Sequence, residues 1–263
     1  QYDQKIGQVN FSAMGNFTFA RNVIEDQDQP DYIEKYMNRT GRARWQTFGY
    51  VSDGLFKDEA DIATSPDQSA LGEVRPGDIK YKDLNNDGVI DSKDVKAIGY
   101  TDVPEIVYGF GVSAQWKGFD VSVFFQGNAH VSFSINSSMV RGFTEPKMAA
   151  NNVFSDIYGN YWTESNTDAK YPRLTTTEAT NNNQSSDFWL VNGRYIRLKN
   201  AEFGYTFPKR LIQKMRLSQL RVFVSGTNLL TFAPFKLWDP DLQTGASNYP
   251  NTRVANIGLN IGF

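Results

Sequence analysis

The segment Asn256–Phe263, with the sequence NIGLNIGF, decides the fold more directly than any other part of the chain. Its apolar residues occupy every second position, and asparagine or glycine stands between them. Successive side chains of a β-strand point to opposite faces, so one face is apolar and the other is small or amide-bearing. In water this pattern predicts a half-buried sheet strand. In a membrane it predicts a strand with lipid on one side and a polar lumen on the other.

The same alternation appears in five further segments of the chain. They are Val9–Phe19, Ile106–Trp116, Phe119–Gln126, Tyr195–Phe207 and Leu220–Ser225. The two segments around Lys117-Gly118 form the clearest hairpin, because a two-residue turn with glycine joins two alternating runs. Simple alternation places Arg197 and Lys199 on the apolar face of their segment, which predicts that this charged end rises above the membrane.

The connections between these segments are very unequal in length. Residues 117–118 and 208–219 form short connections, whereas residues 25–105, 128–194 and 233–253 form long ones. Bacterial barrels have short periplasmic turns and longer extracellular loops. If the last strand ends at the periplasm, counting back along the chain places every long connection outside the cell and every short one inside.

Six strands are too few for a closed barrel, since single-chain outer-membrane barrels begin at about eight strands. An open sheet would leave unpaired backbone groups in lipid. The sequence therefore predicts an all-β fold in which residues 1–263 form the C-terminal portion of a large antiparallel transmembrane β-barrel. Strands outside this chain would complete the barrel, residues 253–263 would form its C-terminal strand, and a plug domain is not expected within the chain.

The composition restricts the classes of function. The formal net charge is −2, so nucleic acid is not an expected partner. The absence of cysteine excludes disulfides, zinc–thiolate sites and thiol nucleophiles. Aromatic residues make up 14% of the chain, which fits the aromatic girdles of a membrane barrel and equally an aromatic-rich soluble β-sandwich.

A set of motifs follows one order along nearly the whole chain. They are Gly49-Tyr50, Asp53–Phe56, GDIKYKDLNNDGVID at 77–91, YGFGVSAQWKGFDVSVFFQG at 108–127, YIRLKNAEFGYTFP at 195–208, LRVFVSGTNLLTF at 220–232, Trp238–Asp241 and YPNTRVANIGLNIGF at 249–263. Together they resemble the C-terminal part of the barrel in the SusC/RagA family of TonB-dependent outer-membrane transporters. The ending at Phe263 is also similar to the C-terminal signal of outer-membrane barrel proteins.

This resemblance implies a function for the assembled protein. Such transporters import oligosaccharides or peptides across the outer membrane, driven through TonB, and a SusD-like surface lipoprotein covers them as a lid. The implied partners are therefore the rest of the barrel and its plug, the SusD-like lipoprotein, TonB through the plug, the substrate, and outer-membrane lipid. The resemblance implies no enzymatic activity.

The segment Asp83–Asp94 fits the pattern of a calcium-binding loop. Alternating oxygen ligands are what a hard cation requires, and Gly88 permits the sharp turn, while Ile90 would anchor the loop inward. The expected ligands are Asp83, Asn85, Asp87, the backbone carbonyl of Val89, Asp91 (often through water) and Asp94. Aspartate replaces the usual glutamate at the last position. The alternative is a turn rich in Asn, Asp and Gly that holds no metal.

Other residues were weighed as site candidates, and a structural role is favoured for most of them. His130 is the only histidine and has no nucleophilic partner in the sequence. Asp239 and Asp241 could act as an acid–base pair but lie in a Pro-containing segment that favours a turn. The aromatic residues Tyr161, Trp162, Trp189 and Trp238 could stack on a sugar or pack under loops, and Arg141, Arg173 and Arg194 could hold an anion or pair within loops. No catalytic residue is predicted.

A different class of protein also fits part of this pattern. A secreted, calcium-binding β-sandwich that binds glycan would have alternating strands, many aromatics and the same Asp-rich loop. The two alternatives differ in what lies against the apolar faces of the strands. The sandwich requires a second layer of polypeptide over Phe119, Val121, Val123, Ile257 and Ile261, whereas the barrel requires lipid there.

Overall fold

The computed structural model describes residues 1–141, 143, 153–245 and 247–263. The strands of this part of the chain are β1 (Tyr2–Ile6), β2 (Val9–Phe19), β3 (Phe48–Gly49), β4 (Ser52–Leu55), β5 (Ile79–Tyr81), β6 (Lys96–Ala97), β7 (Ile106–Trp116), β8 (Phe119–Ala129), β9 (Ser132–Ser134), β10 (Leu190–Asn192), β11 (Tyr195–Thr206), β12 (Gln219–Phe232) and β13 (Val254–Gly262). The α-helical turns are α1 (Glu59–Thr64), α2 (Ser138–Arg141) and α3 (Lys209–Ile212). The 3-10 turns are Lys35–Met37, Ser69–Leu71, Ser92–Asp94, Thr180–Asn183, Gln213–Met215 and Pro240–Leu242. Within the described residues, the helices are too short and too polar to cross a membrane.

Seven strands of the described chain form one antiparallel sheet in the order β1-β2-β7-β8-β11-β12-β13. Spatial order follows chain order, so the sheet is an up-and-down meander. Six of these strands are the predicted ones. The sequence prediction missed β1, which is short, exposed throughout and paired with β2 by a hairpin.

The meander confirms the predicted parity of the connections. The short connections, residues 7–8, 117–118 and 207–218, lie at one end of the strands. The long connections, residues 20–105, 130–194 and 233–253, lie at the opposite end. At the two-residue turn between β7 and β8, Lys117 and Gly118 have φ angles of 49° and 90°. Positive φ at both central residues gives the turn whose twist matches that of the flanking strands.

The apolar face of the sheet is uncovered. Phe110, Val121 and Phe203 are 46%, 44% and 50% exposed, although they lie on the interior strands β7, β8 and β11. Monomeric soluble proteins rarely expose apolar patches larger than a few hundred Å². No described segment packs over this face as a second sheet would, so the layer required by the sandwich alternative is not found. β1 and β13 are open edges, as expected for part of a barrel.

A β-bulge at Lys199 corrects the predicted facing of β11. On β8, Leu198 pairs with Phe125 but Asn200 pairs with Phe124, so Lys199 is an extra residue. A bulge changes the phase of alternation within one strand. Arg197 therefore lies on the polar face, opposite Gln126, while Phe203 stays on the apolar face. Simple alternation had placed Arg197 on the wrong face.

The hydrophobic core lies in the long connections and not in the sheet. Among the buried apolar residues described, all except Tyr195 and Ile212 come from connections 20–105, 130–194 and 233–253. Small strand pairs form within the connections, β3 with β6 and β4 with β5 in 20–105 and β9 with β10 in 130–194. A bridge between Tyr50 and Ser186 joins the first connection to the second, and the Phe133 and Phe235 rings join the second to the third. The three long connections therefore form a packed layer at one end of the strands. We call this layer the loop layer. Residues 142 and 144–152 of the predicted loop 128–194 lie outside the described residues.

Candidate functional site

The polar face of the sheet carries an ion-pair network near the short connections. Arg221 of β12 donates from Nε to Asp120 Oδ1 at 3.1 Å, and its Nη2 bonds both Asp120 and Glu202. Asp120 lies on β8 and Glu202 on β11, so the guanidinium joins three strands. This network could not be predicted from the sequence, because Glu202 and Asp120 lie 19 and 101 residues away from Arg221.

A second ion-pair cluster lies on the same face near the long connections. Arg197 is only 2% exposed; it contacts Asp239, lies 3.5 Å from Asp241, and donates to Thr231 at 3.0 Å. The hydroxyl of Tyr195 donates to Asp241 at 2.7 Å. The two aspartates thus hold the connection after β12 against β11.

The predicted turn role of Asp239 is confirmed. Its carboxylate accepts the backbone N–H of Asp241 at 3.0 Å and caps the 3-10 turn Pro240–Leu242. Both carboxylates also pair with the buried Arg197, a partner that the spacing of the sequence did not indicate.

An open cavity of about 360 Å³ lies in the loop layer. Its walls include the aromatic rings of Phe188, Trp189 and Phe235. At one side, Asp156 accepts hydrogen bonds from Lys170 at 2.6 Å and from the Tyr171 hydroxyl at 2.8 Å. These two bonds, that from Lys170 first, lower the pKa of Asp156. A cavity with apolar walls and a few charged groups suits a small organic ligand.

The candidate aromatic residues serve loop packing, as favoured from the sequence. Trp189 is 1% exposed and donates from Nε1 to the carbonyl of Asn182 at 2.7 Å. Trp238 donates to the carbonyl of Gln243 at 2.7 Å and packs edge-on against Phe235. Tyr161 and Trp162 pack against the same core.

The candidate cations fall into two groups. Arg173 pairs with the fully buried Asp78 at 2.8 Å, and Arg141 bonds the side chain of Asn183, so both are held within the loop layer. The side chain of Arg194 is exposed and, within the described ranges, makes no ion pair. Nδ1 of His130 lies 3.1 Å from the carboxylate of Glu105, and its ring stacks on that of Tyr100. These contacts give His130 a structural role, as favoured from the sequence.

The predicted calcium loop is a series of tight turns around its own carboxylates. Asp83 accepts the backbone N–H groups of Asn86 at 2.6 Å and of Gly88 at 2.8 Å. Gly88 has φ of +84°, as the sharp turn requires. Ile90 is fully buried in the core, so the predicted inward anchor is confirmed.

The remaining oxygens of this loop have other partners. Asp94 is fully buried and accepts the N–H groups of Leu84 at 2.7 Å and Asp91 at 2.9 Å. The ammonium of Lys93 lies 3.1 Å from Asp87 and 3.4 Å from Asp91. Hydrogen bonds from Asn85, Val89 and Lys93, in that order, lower the pKa of Asp87. In the part of the chain that the structure describes, no three acidic or histidine side chains converge as metal ligands do.

The comparisons with known proteins point to one family. TonB-dependent receptor P3 of Formosa agariphila is 30% identical over 290 residues, covering 99% of this chain and 28% of that protein. TonB-dependent receptor P26 of the same organism is 28% identical over 232 residues, covering 80% of this chain and 22% of that protein. No protein-family profile matches the sequence. The chain thus spans about a quarter of the length of these relatives.

Solved structures show the same fold. The RagAB peptide transporter superposes with a TM-score of 0.70 at 22% identity, over 99% of this chain and 28% of that one. The RagAB peptide importer in its open-open state gives a TM-score of 0.67 at 21% identity, over 98% of this chain and 27% of that one. These matched proteins are named as receptors and transporters. The motifs, the open antiparallel meander and these similarities agree: the chain is similar to TonB-dependent receptors and has the fold of part of the β-barrel of a SusC/RagA-type transporter.

Proposed function

We propose that this chain forms part of the barrel wall of an outer-membrane, TonB-dependent active transporter. Its apolar sheet face contacts lipid, its polar face lines the lumen, and its long connections lie outside the cell. The observation that carries the proposal is the uncovered apolar face of the sheet, together with the position of the packed loop layer at one end of the strands. An exposed face of this kind is stable in lipid, whereas in water it would drive association.

This chain contains no cysteine, so cysteines introduced into it test the orientation once any cysteine in the rest of the assembled protein has been replaced. Ser165→Cys lies in an exposed part of the loop layer, and Gln213→Cys lies in an exposed short connection. We expect a membrane-impermeant maleimide to label the first variant in intact cells and the second only after the outer membrane is permeabilised. Labelling of both variants in intact cells, or of Gln213→Cys alone, would contradict the proposal.

The partners and cargo are part of the same proposal. The relatives are named TonB-dependent receptors, and the similar solved structures are of a RagAB peptide transporter. We propose that a SusD-like surface lipoprotein covers the assembled protein, that TonB drives it through the plug, and that the cargo is an oligosaccharide or a peptide. Affinity purification from outer membranes tests the lid, and titration with peptide and oligosaccharide mixtures identifies the class of cargo. Failure to bind either class would contradict this cargo assignment.

We also propose that the loop 83–94 binds calcium in a structural role. The side chains of Asp83, Asn85, Asp87, Asp91 and Asp94 and the carbonyl of Val89 supply oxygen ligands on a loop with the required glycine turn. Binding requires Lys93 to leave Asp87 and Asp91, whose carboxylates would then turn towards the ion. Calorimetry with Ca²⁺ on the protein and on the Asp83→Ala/Asp87→Ala variant tests this. No binding by the unmodified protein would contradict it.

A further inference from the structure

A trough crosses the apolar face of the sheet close to the long connections. Tyr108, Gly127, Ile196 and Phe232 are register partners on β7, β8, β11 and β12, so they form one row across four strands. Gly127 is buried beneath the Tyr108 ring, because a Cβ there would come within 2.6 Å of that ring. The ring lies across β8 at this point, and Phe232, which is 57% exposed, forms the far side. The row is therefore a mainly apolar floor made of the Tyr108 ring, Ile196 and Phe232.

Two cations stand at the rim of this trough. Arg194 immediately precedes β11, and Lys236 follows β12 in the connection 233–253. Both side chains are exposed, and together with Ala233 and Pro234 they border an open volume of about 630 Å³. Neither cation has an ion pair with any carboxylate in the described residues, in contrast to Arg197 of β11 and to Arg221 near the short connections.

An apolar floor with two cations at one end matches a molecule with acyl chains and a phosphate head. The orientation in the Proposed function, on which this inference rests, puts the trough in the outer leaflet and the cations at the level of its headgroups. An arginine fork binds phosphate in a bidentate way, and a lysine adds a point charge. We propose that this trough binds the phosphorylated glycolipid of the outer leaflet, with a phosphate between Arg194 and Lys236 and an acyl chain along Ile196 and Phe232.

Two cations at the opposite end of the strands provide a matched control. Lys209 and Arg210 are also exposed and adjacent to the sheet, at the start of α3. They lie at the short connections, where the proposed orientation places the inner leaflet. A general attraction of cations for anionic lipid would act equally at both ends of the strands, whereas the proposed site exists only at the end with the long connections.

The test is retention of lipid by the assembled protein purified in detergent, measured by native mass spectrometry. The probe is a bisphosphorylated, acylated diglucosamine, compared with its dephosphorylated form and with phosphatidylglycerol. We expect Arg194→Glu/Lys236→Glu to lower the apparent affinity for the bisphosphorylated probe at least tenfold, and Lys209→Glu/Arg210→Glu to leave it unchanged. We expect the unmodified protein to prefer this probe over the other two lipids.

Three results would overturn the inference. They are equal retention by both double variants, equal retention of the dephosphorylated glycolipid, and equal or tighter binding of phosphatidylglycerol. Heat-modifiable migration and recovery in the outer-membrane fraction are measured on the same samples. If the unmodified protein fails those two assays, the proposed function and the site both fail. If it passes them and the Arg194/Lys236 variant keeps its lipid, the site alone fails.

Discussion

Arg221 and Asp120 are joined across an intervening strand, because a glycine lies beneath their contact. The guanidinium of Arg221 on β12 passes over Gly204 of β11 to reach Asp120 on β8, with 3.1 Å between Nε and Oδ1. A Cβ at position 204 would lie 2.4 Å from Nη2 of Arg221. One ion pair therefore clamps three neighbouring strands on the polar face of the sheet.

The first prediction concerns this glycine. Gly204→Ala puts a methyl group against the guanidinium and forces Arg221 away from Asp120, so we expect a loss of about 1 kcal/mol, the scale of a partly exposed ion pair. Gly15→Ala is the control, since its Cβ would meet nothing closer than 3.7 Å. The measurement is the temperature at which the folded band disappears in heat-modifiability gels. Equal shifts in both variants would contradict the proposed clamp.

The second prediction concerns the buried Arg197. Arg197→Met leaves Asp239 without its cation, and breaking a buried pair costs about 3–5 kcal/mol. We expect faster proteolysis of the connection 233–253, with partial recovery in Arg197→Met/Asp239→Leu. Arg75 is the control, because its pair with Glu73 is exposed and such pairs contribute about 0–1 kcal/mol. Similar proteolysis of Arg75→Met and Arg197→Met would show that burial of the pair is unimportant.

The third prediction concerns acid. Arg21 donates to Glu105 at 2.6 Å, and this bond, with a further one from His130, lowers the pKa of the nearly buried Glu105 below its ordinary value of 4.5. A depressed folded pKa means that the contribution to stability is present above about pH 4.5 and is lost as the pH falls through the folded value.

Hydrogen exchange of residues 99–106 and 128–132 between pH 3 and 7 measures this loss. Glu105→Gln removes the titrating group. In this variant, the hydrogen-exchange protection of the two segments should therefore depend less on pH in the acid range than it does in the unmodified protein. Glu73→Gln, in the exposed pair with Arg75, should behave like the unmodified protein. An unchanged acid dependence in Glu105→Gln would assign the effect to another group.

The fourth prediction concerns the Asp-rich loop. The ammonium of Lys93 lies within 3.4 Å of both Asp87 and Asp91, where a bound cation would repel it. Lys93→Ala removes this competing charge, so we expect calcium affinity to rise by about 1 kcal/mol or more, the scale of one partly exposed charge interaction. Calorimetry at fixed ionic strength measures it, with Lys82→Ala, paired at 3.5 Å with Asp53, as the control. Weaker calcium binding by Lys93→Ala would contradict the competition.

The sheet was largely predictable because alternation is a local signal. The observed bounds of β2 and β7 are those predicted from the alternation. The long connections also lie together at one end of the strands and the short ones at the other, as predicted from their order along the chain. β12 extends to Phe232, beyond the predicted Ser225, because Asn228 adopts φ of +53° and lets pairing resume after an irregularity. β1 escaped prediction because Tyr2–Ile6 has too few apolar residues to show a period.

The side-chain networks could not be predicted from one sequence. Arg197 changes face only because Lys199 forms a bulge, and alternation carries no sign of an extra residue. Its aspartate partners lie more than 40 residues away. The Asp-rich loop shows the opposite case. Its turns and its anchor at Ile90 follow from local residue types, whereas the ammonium of Lys93 beside Asp87 is a detail of packing.

The most direct test of the central claim is the environment of neighbouring side chains on the sheet. Nitroxide labels at Val112→Cys and Val224→Cys report on the apolar face, and labels at Ser113→Cys and Ser225→Cys report on the polar face. In the protein reconstituted in outer-membrane lipid, we predict that the first pair is accessible to oxygen and shielded from a water-soluble nickel complex, and that the second pair is not in contact with lipid. Equal accessibility of adjacent positions, or nickel access at Val112 and Val224, would contradict the claim that this face contacts acyl chains.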